Sequence, residues 1–238
     1  MSQLVLPHTY HAQQRGWSCG PSTALVVLST FGVTVTEDQM ITACGATVDG
    51  TADVSNVDAA ISARDGGRAY GAHYMPADPP TRAQMDEFWQ HAVETIANSR
   101  RGMPVNIWAP ANNHPPGYPN YLIMHYISAV GIDVEQRLIY ISDSARFQGY
   151  EHYWIGADTL CTMITPKGYG SLVAPDLPNP FPVLTDQQQS EMAANMAWLR
   201  EQLGPNIWGP DSSLGRNAAG QELTFRDSFA DLRRRQLT

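Results

Sequence analysis

A cysteine stands at the entrance to the most apolar stretch of this chain: Gln13-Gln14-Arg15-Gly16-Trp17-Ser18-Cys19-Gly20-Pro21-Ser22 runs straight into Ala24 to Phe31. That stretch predicts a helix buried in the core, around which the rest of the fold must be arranged. A thiol at such a helix N-terminus faces unpaired backbone N–H groups, which favour an anion and lower its pKa. A lone cysteine is more often just a small buried apolar residue, but the neighbours here argue for chemistry. Gln13, six positions upstream, can return its side-chain N–H₂ to an oxyanion beside the backbone N–H of Cys19. Pro21 falls in the first helical turn, where no N–H is needed.

Seven histidines are available as partners, and His125 alone lies in a clearly periodic segment, Tyr121 to Asp133. A second apolar run, Arg137 to Ala145, follows across the short polar turn Asp133 to Gln136, and the two read as a β-hairpin. Period-two alternation puts His125, Ile127 and Ala129 on one face, and Ile139, Ile141 and Asp143 on one face of the partner strand. Whether the two faces coincide depends on register. If they do, Asp143 orients an imidazole able to take a proton from Cys19.

Gln13, then Trp17-Ser18-Cys19-Gly20-Pro21-Ser22-Thr23, then Met124-His125-Tyr126 with Gly131-Ile132-Asp133, then Tyr140-Ile141-Ser142-Asp143 resembles family thirty-nine of the cysteine peptidases. This family holds bacteriocin-leader-processing peptidases and relatives found in phage lysins. The resemblance spans roughly the first three quarters of the chain. It implies a papain-like α+β fold and carries over Gln13 as oxyanion donor, Cys19 as nucleophile, His125 as general base and acid, and Asp143 as orienting carboxylate. Ser18 departs from the Asp that commonly precedes the cysteine in leader-processing members. Trp17, Tyr118 and Trp154 are the expected substrate-binding side chains, Tyr118 because it sits in the long Pro-, Asn- and Gly-rich loop 109–120 just before the His125 strand.

With 238 residues and 43% hydrophobic content, the chain can form one domain, expected over 1–183, plus a small appendage over 184–238. No stretch has the length of a membrane span, so a soluble protein without stable membrane insertion is expected. The N-terminus lacks a basic region followed by a long apolar one, so no secretory signal is expected. The net charge of −8 argues against nucleic acid as a principal partner. Cys19, Cys44 and Cys161 show no paired spacing that would announce zinc or redox chemistry, and His8 and His11 have no third ligand. No metal or cofactor is expected. Cys44 and Cys161 are read as buried free thiols, with a disulfide between them left open.

Capping patterns predict helices after Thr36, with Gln39 three on, and over Thr81 to Asn98, with Gln84 three on. Val54 to Ala63 and Gly156 to Ile164 are further helices. Tyr70 to Met75 and Met103 to Ala109 are predicted strands, and Trp154-Ile155 a final strand or a wall of the cleft. Lys167 to Pro182, rich in Gly and Pro, reads as a tail and linker. Beyond it, Asp186 to Leu203 has an amphipathic helical pattern, and Thr224 onward a shorter one. The stretch Trp198 to Trp208 resembles connectors in lysins of phages that infect mycobacteria.

The expected function is therefore a cysteine peptidase acting on bacterial cell-wall peptidoglycan, most simply a phage endolysin held in the host cytoplasm until its release to the wall. Leader-peptide processing is the alternative enzyme reading. An inactive virion protein that retains the scaffold is the alternative from outside enzymology.

Overall fold

The computed structural model describes residues 3–66 and 68–173. The chain forms β1 (Gln3–Val5), α1 (Cys19–Ser29), α2 (Glu37–Cys44), α3 (Val54–Ser62), β2 (Tyr70–Tyr74), α4 (Arg82–Ala92), β3 (Met103–Ala109), β4 (Ile123–Asp133), β5 (Leu138–Ser142), β6 (His152–Gly156), α5 (Ala157–Ile164) and β7 (Gly168–Leu172). A π-helical turn, Val93–Asn98, continues α4. The fold is α+β, as expected, with an antiparallel sheet in the order β2-β7-β3-β4-β5-β6 and β1 paired on β4. Among the described residues, no helix is long and apolar enough to cross a membrane.

The predicted capping boxes are present at Thr36/Gln39 and Thr81/Gln84, each side chain bonding the other residue's backbone. Every residue of α1 from Cys19 to Leu28 is buried, as an evenly apolar helix requires. One core, with α1, α2 and α3 contributing Val27, Leu28, Met40, Val57 and Ile61, packs against Tyr70, Tyr126 and Leu172 of the sheet. The other gathers Phe88, Ile96, Leu160 and Ile164 over Val105, Ile107, Ile127 and Ile141.

The β4–β5 hairpin answers the register question. Ala129 lies opposite Ile141, so the faces carrying His125, Ile127 and Ala129 and carrying Ile141 and Asp143 coincide. A β-bulge then shifts the pairing to Gly131 opposite Tyr140, which returns Ile132 to the same buried core as Ile127. Gly131 is required there: a Cβ would lie 2.7 Å from the Leu4 carbonyl oxygen and 2.8 Å from Cβ of Tyr140. The turn closes where Asp133 Oδ1 accepts the N–H groups of Glu135 (3.0 Å) and Gln136 (2.9 Å).

Lys167 to Leu172 departs from expectation. It supplies no tail but β7, a strand between β2 and β3. Its glycines mark close approach: a Cβ on Gly168 would strike the His73 carbonyl and one on Gly170 the Asp58 carboxylate. The expected boundary at residue 183 and the helical patterns beyond it lie outside the described residues.

Candidate active site

Cys19 is the first residue of α1, and Ser18 caps it without a side-chain hydrogen bond to the helix. Gly20 is needed beside it because a Cβ there would strike Thr51. The helix is tied to β4 by Ser128 Oγ donating to the Thr23 carbonyl (3.3 Å). It is also held through Thr51, whose carbonyl accepts the Tyr126 hydroxyl (3.3 Å). β5 ends at Ser142, opposite Ser128, so among the described residues the part of β4 before Ile127 has no strand neighbour on that side. The start of α1 fills this gap, and the backbone N–H of Tyr126 turns to the Cys19 sulfur.

His125 lies near the start of β4 and is 5% exposed. Its Nε2 donates to Asp143 Oδ1 at 2.9 Å, leaving Nδ1 to meet the thiol with which the ring is hydrogen-bonded. Asp143 is fully buried and well supplied with donors. Oδ2 accepts the hydroxyls of Tyr118 (2.6 Å) and Tyr153 (2.9 Å), and Oδ1 also accepts the Ala145 N–H (3.0 Å). The Asp143 carbonyl accepts the Tyr10 hydroxyl at 3.2 Å.

The electrostatics follow from this geometry. Burial pushes the Cys19 thiol up, but the hydrogen bond and charge of His125, with the N–H groups of Tyr126 and Gly20, outweigh it and hold its pKa below the ordinary thiol value. Burial likewise disfavours a charged His125. The Asp143 charge and hydrogen bond, aided by Cys19, reverse that and raise the ring to about 10. Asp143 is itself held below the usual carboxylate range: burial opposes its charge, but His125, the Tyr118 hydroxyl and the Ala145 N–H prevail. The arrangement favours a thiolate–imidazolium pair, the form in which a thiol attacks a carbonyl. Cys44 and Cys161 are buried, free and pushed up to about 12 by burial. They belong to opposite cores.

Gln13 is fixed in the loop that leads to Cys19. Its backbone N–H donates to the Ser144 carbonyl (3.1 Å), and its Oε1 accepts the Ser144 hydroxyl (3.1 Å). One side-chain N–H goes to the Arg15 carbonyl (3.1 Å), which leaves the second for a ligand. The three aromatic residues expected to bind substrate are placed differently from the triad. Tyr118 is 4% exposed and its hydroxyl is bonded to Asp143, so it supports the carboxylate from within and is not part of an open wall. Trp154, in β6, packs on Tyr140 of β5, ring centroids 4.9 Å apart. Trp17 is half-buried with the Arg15 guanidinium 5.6 Å over its ring.

A cleft of about 190 Å³ opens at Cys19 and His125 and is lined also by Asp49, Thr51, Asn106, Trp108 and Lys167. Trp17, Tyr118 and Trp154 are not among its lining residues. Sequence reasoning passed over Tyr153, Asp49 and Lys167. Tyr153 carries a signal in retrospect, since it lies opposite Ile141 and therefore on the face of Asp143. Asp49 and Lys167 carry none, because they reach the cleft from two loops far apart in sequence.

Residues 5–161 match the Peptidase_C39 like family. No curated protein sequence matches the chain. Among solved structures, a double glycine motif protease from an AMS/PCAT transporter in complex with its leader peptide is similar at 16% identity, covering 71% of this chain and 94% of that one, with a TM-score of 0.44. The peptidase domain of Streptococcus ComA, a bi-functional ABC transporter involved in quorum sensing, is similar at 11% identity, covering 69% and 98%, with a TM-score of 0.46. With two thirds of its length within the family's match and a buried Cys–His–Asp network at the head of its central helix, the chain belongs to the Peptidase_C39 like family of cysteine peptidases.

Proposed function

We propose that this protein hydrolyses amide bonds in the peptides of bacterial cell-wall peptidoglycan, as the peptidase of a phage endolysin. The Cys19 thiolate attacks the carbonyl carbon. The developing oxyanion accepts hydrogen bonds from the Cys19 backbone N–H and the free N–H of Gln13. His125 then gives its proton to the departing amine, which leaves an acyl group on sulfur. A water molecule, deprotonated by His125, releases that acyl group as a carboxylate and restores the thiolate. Asp143 holds the imidazole in place through the cycle and stabilises its charge in the steps where it carries the proton. The observation that carries this mechanism is the 2.9 Å His125–Asp143 bond, set behind a thiol whose pKa the same histidine lowers.

The cleft supports the substrate class. It is small, and it presents both a carboxylate, Asp49, and the only lysine of the chain, Lys167, which lies 4.8 Å from the Trp108 ring. Wall stem peptides alternate small alanyl units with residues that carry an extra carboxylate or amine, a pattern matched to a narrow cleft bearing one charge of each sign.

Digestion of purified wall tests the reading, with fragments identified by mass spectrometry and Cys19→Ala as the control. The expected result is stem fragments released by the wild type and none by the variant. An intact wall together with cleavage of a double-glycine leader peptide would make the protein a leader-processing enzyme. If the folded protein cuts neither, it is a binding scaffold.

A further inference from the structure

Away from the cleft, β2 and α4 bring three metal-ligating side chains together over β7. Glu87 and His91 stand one turn apart on α4, and His73 reaches them from β2, at the edge of the sheet. One donor atom from each residue lies within 4.8 Å of those of the other two, and the two imidazole centroids are 4.0 Å apart. None of the three lines the catalytic cleft.

Both imidazoles are held by buried partners. Ser171 Oγ is 2.9 Å from Nε2 of His73, and the Tyr169 hydroxyl is 2.9 Å from Nδ1 of His91. Ser171 and Tyr169 are two residues apart on β7, both buried, and so share one face of the sheet. Tyr169 lies directly opposite His73 in the β2–β7 ladder and stacks on its ring at 5.2 Å. Phe88 packs edge-on against the same tyrosine at 4.9 Å. A histidine ligand usually donates its far ring N–H to an acceptor that sets the tautomer and aims the other nitrogen, and a buried hydroxyl oxygen stands in that position behind each ring here. Here they leave Nδ1 of His73 and Nε2 of His91 available, beside an exposed and therefore adjustable Glu87.

We propose that His73, Glu87 and His91 form a binding site for a divalent transition metal of the zinc class, with water in the fourth position. Two imidazoles and one carboxylate suit zinc, whereas magnesium and calcium take oxygen donors. Zinc bonds of about 2.0–2.2 Å bring tetrahedral donors to roughly 3.3 Å from one another. Rotation of Glu87 and small shifts of the two rings close the triangle to that size. A metal there fastens the edge strand β2 to the helix α4, and so ties the outer border of the sheet to the helix that covers it.

The test uses the full-length chain carrying Cys19→Ala, which removes the competing thiol–imidazole donor set. After stripping with chelator and dialysis, Zn²⁺ alone is titrated by calorimetry and thermal unfolding is followed with and without the ion. One equivalent should bind and raise Tm. Glu87→Gln, at an exposed position, should fold as the parent does and weaken binding at least tenfold. His91→Ala should abolish it, and Ser171→Ala should weaken it by about 10–100-fold with the three ligands intact. Absence of Zn²⁺ binding in the parent would overturn the proposal, as would an affinity unchanged in both Glu87→Gln and His91→Ala. A cobalt-substituted form showing thiolate-to-metal charge transfer would also overturn it, by placing the metal on a cysteine.

Discussion

Of the three thiols, one sits in a field that favours its anion and two in apolar cores that resist it. Iodoacetamide at near-neutral pH should therefore modify Cys19 first, read out by peptide mass mapping; earlier reaction at Cys44 or Cys161 would remove Cys19 as nucleophile. Cys19→Ala should abolish hydrolysis and shift stability by no more than about 1–2 kcal/mol. The pH profile of kcat/KM should be a bell whose acidic limb reflects thiolate formation, below the ordinary thiol value, and whose alkaline limb reflects loss of the imidazolium proton near 10. Both limbs belong to the coupled pair. Asp143→Asn removes the charge that raises His125, so the alkaline limb should move down; an unmoved limb would mean that Asp143 does not set the histidine's charge. Tyr118 illustrates how the structure changes a reading made from the chain alone. Its position in a long loop suggested a substrate wall, yet its hydroxyl ends 2.6 Å from Asp143. Tyr118→Phe should lower stability by about 1.5–3 kcal/mol in urea, as expected for a lost bond to a charged group, and should lower kcat while KM for a small soluble peptide holds. A raised KM with unchanged stability would return Tyr118 to the substrate wall.

Elements announced by local chemistry were legible in the chain. The capping boxes at Thr36 and Thr81, the hairpin turn at Asp133 and the apolar run behind Cys19 each depend on residues within a turn or two of one another. The Cys19, His125 and Asp143 set was legible for the same reason, because each member stands at a recognisable element boundary. What stayed hidden depends on contacts between distant segments. β7 has glycines where a strand usually shows β-branched residues, and only the close approach of β2 and of Asp58 on α3 explains why nothing larger fits. The bulge in β4 has only Gly131, alone inside an apolar strand, to announce it. Asp58, at that same crossing, makes a prediction about α3. It is 2% exposed, neither carboxyl oxygen has a hydrogen-bond partner among the described residues, and burial, with Asp53 nearby, raises it to about 8. A carboxyl raised in the folded state gives stability that is fully present below its unfolded value and is lost as pH rises toward 8. Unfolding free energy should therefore fall by up to about 1.4 kcal/mol per pH unit between roughly pH 4 and 8. Asp58→Asn should flatten that slope in urea titrations at pH 5 and pH 8, and an equal slope in the variant would assign the pH dependence to another group.

Over the whole molecule, the described residues already contain one continuous sheet, both apolar cores and every side chain assigned to the reaction. β7 extends that part to Leu172, much further than Asp143, the last residue of the proposed triad, would suggest. A cut made inside Gly168–Leu172 would remove the strand that joins β2 to β3 and destroy the sheet, so the earliest tolerable end of the peptidase lies beyond it. The amphipathic pattern from Asp186 has narrow apolar stripes rather than the all-round apolar character of α1, which suits an element added to a finished fold better than one needed to complete a core. Truncation after Val183 should accordingly leave Tm close to that of the full chain and turnover of a small soluble stem peptide within about twofold, a change worth less than roughly 0.5 kcal/mol. Hydrolysis of intact wall should become several-fold slower, because a polymer with many sites rewards any additional contact that holds the enzyme near it. The comparison of the two substrates separates the contributions. Equal slowing on both, together with a lower melting temperature, would make the segment after Val183 part of the catalytic fold and move the domain boundary toward the C-terminus.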